Sequence, residues 1–230
     1  MIFVKHSELV GKHCLFSPSK PGWINYSVPK MFERIDSEAA KMTGTLIHEF
    51  AASQIYLRHK VKSKRVLVEG IENYIYNKYF DEKYNELSYT ATEYIKKVGP
   101  IVDRIYDTLK DYINDGIGFK MLTEWGLKYS DNFFGHADSI IFRDKTLRIH
   151  DLKTGTTPAK MEQLLIYAAL FCLEYKIKPM DIDMELRLYQ SNEILIHNPE
   201  VDEILPIMDQ IKTFDEAISK KKELYFGEVK

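Results

Sequence analysis

The stretch FGHADSIIFRDKTLRIHDLKTGTTPAKMEQLLIY, residues 134–167, decides how this chain is read. Two apolar-rich segments, 134–142 and 147–152, alternate as strands do, and Arg143, Asp144 and Lys145 turn the chain between them, so an antiparallel hairpin is expected. A loop containing Gly155 follows, and residues 160–175 then change to a helical period. Asp138 lies in the first strand, Asp151 and Lys153 lie at the end of the second, and Gln163 and Tyr167 share one helix face four residues apart.

Working outward, residues 121–129 read as a preceding strand that carries Glu124. Residues 182–189 and 193–196 read as later strands, and 201–224 as a closing helix with Ile204, Ile207, Met208, Ile211, Phe214 and Ile218 on one face. Upstream, the spacing predicts a helix starting near Ser37, capped by Asp36 or Ser37 and interrupted at Gly44, with Leu46, Ile47, Phe50, Ala51 and Ile55 on its apolar stripe. Two further helices are expected over 66–80 and 90–113, with a polar loop between them. Pro100 predicts a kink or break, and Asn114, Asp115 and Gly116 predict a turn that ends the second helix. Residues 1–30, with the two prolines and the glycine of SPSKPG (17–22) and with Trp23 and Tyr26, read as an arm packed on the core. The order, helices first and then strands with interleaved helices, predicts an α+β (mixed α/β) fold.

Bulk properties bound the function. The 230 residues are 45% hydrophobic and 29% charged, enough for a sizeable core and too apolar for wholesale disorder. A net charge of −2 gives no general basic coat for nucleic acid, although a local basic groove is compatible with it. Two cysteines, Cys14 and Cys172, are too few for a four-cysteine zinc or iron–sulfur site and suit a reducing compartment. The start MIFVKHSELVGKH lacks a long apolar run, and no stretch approaches a membrane span, so a cytoplasmic protein with no membrane partner is expected.

Asp138 and Asp151 are hard oxygen ligands that meet if their strands pair, and the Leu152 carbonyl would add a third oxygen. Lys153, two residues beyond Asp151, falls on the same strand face, where an ammonium orients water or offsets phosphate charge. The blander readings stand beside these: surface ion pairs for the D-x-K trio, a buried interface ring for Tyr167, a solvent-facing Gln163. His48 adjoins an apolar stripe, as a structural histidine does, yet neutral imidazole also binds Mn²⁺. Glu49 points about 100° away from it around the helix. The basic run His59, Lys60, Lys62, Lys64 and Arg65 reads as solvated surface or as a phosphate contact, and the dense tyrosines 74–94 as packed rings, some able to stack on bases.

Four segments in order resemble a known family. GTLIHE (44–49), GHADSIIF (135–142), IHDLKTG (149–155) and QLLIYA (163–168) resemble the GTxxHE, GxxD, (D/E)xK and QxxxY motifs of RecB-like members of the PD-(D/E)xK nuclease superfamily. FSPSKPGWINYS (16–27) is similar to a motif of phage-associated members. The resemblance implies a restriction-endonuclease-like core with a central mixed sheet flanked by helices, in one nuclease domain over 1–230. Residues 1–115 would form its mainly helical N-terminal part, carrying His48, and 116–230 its catalytic core. It implies a Mg²⁺- or Mn²⁺-dependent deoxyribonuclease without an iron–sulfur cluster, an exonuclease of recombination, repair or phage DNA processing, acting in the host cytoplasm if phage-encoded. His48, Asp138, Asp151 and Leu152 would hold metal, with Glu124 as a further acid; Asp138, Asp151, Lys153, Gln163 and Tyr167 would form the catalytic set. DNA ends or single strands are the implied partners. With no GxxxxGK[ST] motif in the chain, any helicase or recombination motor would be a separate protein. The rivals are a structure-specific endonuclease, a non-catalytic DNA- or protein-binding module of the same fold, and an inhibitor or structural phage protein.

Overall fold

Two helix-covered faces of one five-stranded sheet organise the molecule in a computed structural model that describes residues 21–81, 86–87 and 89–226. The chain divides into compact units over 1–40 and 41–230. Within the first, a short 3-10 turn, Pro21–Asn25, precedes the start of helix α1 (Val28–Leu57), whose opening turns carry the ion pairs Lys30–Glu33 and Arg34–Glu38. The expected helix start near Ser37 is therefore corrected to Val28, and Gly44 lies inside unbroken helix. Most of the expected N-terminal arm, with Cys14, lies outside the described residues.

The second unit holds the rest of α1, then α2 (Lys64–Tyr79), the two-residue strands β1 (Phe80–Asp81) and β2 (Glu86–Leu87), and α3 (Tyr89–Phe119). The segment expected to be loop thus carries a small antiparallel pair. Ser63 caps α2, its hydroxyl accepting the Val66 N–H at 3.4 Å.

Helix α3 overrides two local signals. Pro100 removes one backbone donor, yet the helix runs through it, with Val98, Ile101, Val102 and Ile105 buried on either side. The expected turn at residues 114–116 is absent. Asn114 there bonds both the N–H and the carbonyl of Val61, Asp115 accepts from Arg187 and Tyr189 at 2.8 Å each, and a Cβ on Gly116 would stand 2.6 Å from Ile55. Long-range partners outweigh turn propensity at all three positions.

The sheet then forms from β3 (Leu122–Lys128), β4 (Phe134–Arg143), β5 (Thr146–Lys153), β6 (Asp183–Gln190) and β7 (Glu193–His197), in that spatial order. The β4–β5 hairpin turns at Asp144 and Lys145, both at positive φ, and the β6–β7 hairpin at Ser191 and Asn192, also at positive φ. Positive φ at both central residues matches the strands' right-handed twist. All neighbours are antiparallel except β5 and β6, which run parallel and are joined by the crossover helix α4 (Glu162–Glu174). Helix α5 (Val201–Phe226) closes the described chain.

Each sheet face has its own core. Leu152 and Tyr189 meet the buried residues of α1, α2 and α3, among them Leu46, Ile71, Ile105 and Leu109. Ile140, Ile149, Leu186 and Leu188 meet α4 and α5 through Leu164, Ala168, Ile204 and Met208. Truncating one of these fully buried aliphatics to alanine costs about 2–5 kcal/mol. The fold is accordingly mixed α/β, a central sheet flanked by helices. Among the described residues, no helix is long and apolar enough to cross a membrane.

Candidate active site

The β4–β5 ladder runs from Arg143↔Thr146 to Ser139↔His150, and one step further stand Asp138 and Asp151. The β3–β4 ladder pairs Thr123↔Ser139 and Trp125↔Ala137, so Glu124 stands opposite Asp138. Three carboxylates therefore share one row across three adjacent strands. The row is irregular: Glu124 has φ 49, a left-handed conformation that costs a non-glycine residue about 1–2 kcal/mol. Asp138 does not continue the ladder by its backbone; its Oδ2 accepts the Leu152 N–H at 2.9 Å.

Around this row the elements deliver polar groups. From α1, His48 Nδ1 lies 3.4 Å from Asp138 Oδ2. From β5, Lys153 Nζ donates to Asp151 Oδ1 at 3.0 Å and to Gln163 Oε1 at 2.9 Å. Gln163 Nε2 in turn donates to the Tyr167 hydroxyl at 3.5 Å, the long end of hydrogen bonding. Two glycines permit this proximity. A Cβ on Gly44 would lie 2.6 Å from Thr154 Oγ1, and one on Gly135 2.9 Å from the Tyr167 ring. The loop after Lys153 is strapped from two sides. Arg104 donates to the Thr154 carbonyl at 2.7 Å, and Gln190 bonds Gly155, Thr157 and Ala159.

The electrostatics follow from crowding acids. Asp151 is 1% exposed. Burial first, and then Asp138, push its carboxyl up to about 6, against the opposing pull of Lys153 and His48. Partial burial and Asp138 raise Glu124 as well, with His48 and His136 pulling the other way. Beneath the row, burial and then Asp138 hold the Tyr112 hydroxyl well above its ordinary range.

His48, Glu124, Asp138, Asp151, Lys153, Gln163 and Tyr167 are thus brought together, while the Leu152 backbone joins through its N–H. Glu49 turns elsewhere, to the Tyr74 hydroxyl at 3.1 Å and to Lys78. The basic run after α1 is surface: Lys64 pairs with Asp103 and Arg65 with Glu69. Tyr74, Tyr79 and Tyr94 pack ring against ring. Sequence reasoning missed Tyr112, Arg104 and Gln190, which lie in no motif, and His136, which fills a variable position of the GHADSIIF segment; only the three-dimensional register shows their proximity.

The donor set matches a hard divalent cation, with carboxylate oxygens and one imidazole. Asp151 Oδ2, buried and 2.9 Å from the Lys153 ammonium, receives no well-directed hydrogen bond and so has an acceptor to spare. Among the described residues, however, no three of His, Cys, Asp and Glu converge as a ready-made cage. In the arrangement described, Lys153 and the Leu152 N–H compensate the two central acids.

A family model described as "Protein of unknown function (DUF2800)" matches residues 22–178. The chain belongs to the DUF2800 family. The DUF2800 match includes every residue of the carboxylate row and its polar surround, from His48 to Tyr167. No curated protein and no solved structure matches the chain.

Proposed function

We propose that this DUF2800 protein is a metal-dependent DNA nuclease of the PD-(D/E)xK superfamily, with a restriction-endonuclease-like core and exonucleolytic action in recombination, repair or phage DNA processing. The observation that carries the reading is the meeting of Asp138 and Asp151 at the end of one ladder, with His48 on the first and Lys153 on the second. A buried carboxylate set beside a half-buried one, its proton held more tightly by burial and like charge, is a candidate functional site. His48, Asp138, Asp151 and the Leu152 carbonyl would hold Mg²⁺ or Mn²⁺, with Glu124 as a further acid. A bound ion of this kind supplies phosphate charge neutralisation and a more acidic water.

The chain's own groups do the rest. Lys153 Nζ, fixed between Asp151 and Gln163, orients the attacking water and faces the charge growing on phosphorus. Gln163 and Tyr167 hold that lysine and meet the scissile strand. Attack in line breaks the bond from phosphorus to the 3′ oxygen and leaves a 5′ phosphate.

The test is Mg²⁺- and Mn²⁺-dependent cleavage of end-labelled linear single- and double-stranded DNA, beside closed circles. Progressive loss from one end, absent on circles and at least ~100-fold slower in Lys153→Ala, is the expected result. Cleavage of circles would move the reading to an endonuclease. A second reading, a non-catalytic binding module, is favoured by the lack of a converged three-donor cage among the described residues. Folded protein that binds DNA and cleaves none of these substrates with either metal would establish it.

A further inference from the structure

The carboxylate row stands on the β3–β4 pair, and one face of that pair is open. Side chains two residues apart share a strand face. Across from one another beyond the row stand Gly126↔His136 and then Lys128↔Phe134. All four residues are exposed, whereas Leu127 and Ala137, on the other face, are buried under α4. Phe134 leaves 63% of its surface in solvent, and among the described residues its ring stacks on no other. Gly126 contributes no side chain, so the His136 ring is its nearest neighbour, 3.6 Å from where a Cβ would be. The Lys128 ammonium pairs with the exposed Asp131 at 2.6 Å, a surface pair easily exchanged for another anion, while its backbone N–H donates to Glu174 at 2.9 Å.

This face presents ring, gap, ring and cation in two successive rows, each about 7 Å beyond the last. That repeat is close to the stretched repeat of a polynucleotide backbone. We propose that His136 and Phe134 are a stacking platform for the unpaired bases of a single-stranded DNA segment leading to the carboxylate row, with Lys128 on its phosphate. The inference rests on the nuclease reading and adds to it the substrate's form: bases must be free to lie on the rings, so a strand is taken and a closed duplex is not. An apolar protein partner would leave Lys128 without complement, whereas a single strand offers flat bases to the two rings and a phosphate to Lys128 in exchange for Asp131.

The experiment measures binding in EDTA, where turnover is stopped, by anisotropy of labelled oligo-dT and of a duplex of equal length. Phe134→Ala is expected to weaken oligo-dT binding ~10-fold, within the span that loss of one stacked base produces. Phe134→Trp is expected to retain affinity within about twofold and to show tryptophan quenching on oligo-dT. Because the side chain is exposed, both variants should fold, which circular dichroism checks. Unchanged oligo-dT binding in Phe134→Ala, or equal losses for duplex and single strand, overturns the platform. Parallel cleavage assays separate the two ideas. Cleavage without a Phe134 effect keeps the nuclease and removes the platform; a Phe134 effect without cleavage removes the nuclease and keeps the platform as a binding surface.

Discussion

At Asp151, burial and the neighbouring Asp138 favour the protonated acid, Lys153 and His48 favour the anion, and the balance lies near 6. That value lies above the 3.8 of a free aspartate, so the folded chain holds this proton more tightly than the unfolded chain does. The associated stability is complete below about pH 4, is lost as pH rises toward 6, and stays lost above. Asp151→Asn removes the ionisation altogether. In EDTA at pH 8 the variant should be more stable than the natural chain, by up to about 3 kcal/mol, while near pH 4 the two should converge. Urea denaturation at the two pH values measures this, and a variant less stable than the natural chain at pH 8 would refute the account. Glu124 belongs to the same scale. Its acidity was legible in the sequence as an acid on a strand; its left-handed backbone was not, because that arises from the irregular row it shares with Asp138.

Helix α1 reaches the end of β5 only because Gly44 has no side chain. Glycine inside a helix ordinarily costs about 1 kcal/mol relative to alanine. Here the sign depends on Thr154, whose hydroxyl stands where a Cβ would come. Gly44→Ala should destabilise the natural chain by about 1–3 kcal/mol, as overpacking does. In a Thr154→Ala background the same change should become neutral or stabilising, and a double-mutant cycle by thermal denaturation reads the difference. Purely additive effects would mean that the two residues do not touch. The strand–turn–strand–helix core was legible because alternation, turn residues and period agree there. The length of α3 was not, since Asn114, Asp115 and Gly116 are turn formers held in helix by Val61, Arg187, Tyr189 and Ile55. The first turns of α1 were missed for a related reason: two prolines and a glycine nearby suggest a break, while the helix begins at Val28 with Pro29 in its first turn, where proline is tolerated.

Over the whole sequence, acids slightly outnumber bases, 34 to 32, which gives no general support for holding a long duplex by charge. Binding should then depend on a few phosphate contacts. We expect the logarithm of the affinity for single-stranded DNA to fall with the logarithm of salt at a slope of about −2 to −3, as three or four neutralised phosphates give. Titration between 50 and 200 mM salt measures it, and a slope near −10 would place many more cations on the DNA than this account allows.

The parallel pairing of β5 with β6 sets the order in which these parts come into being. Strand β6 follows β5 in the chain only after the crossover helix α4, and it pairs with β5 in parallel. Its residue Gln190 also straps the loop that follows Lys153. During synthesis, a nascent chain that has emerged as far as Tyr167 already carries all four motif segments, but it lacks the strand and strap that fix them in place. Such non-local pairing is slow to form. On the nuclease reading proposed above, the growing polypeptide is expected to stay chemically silent until β6 has left the ribosome, so an incomplete copy released early would pose no hazard to the nucleic acid around it.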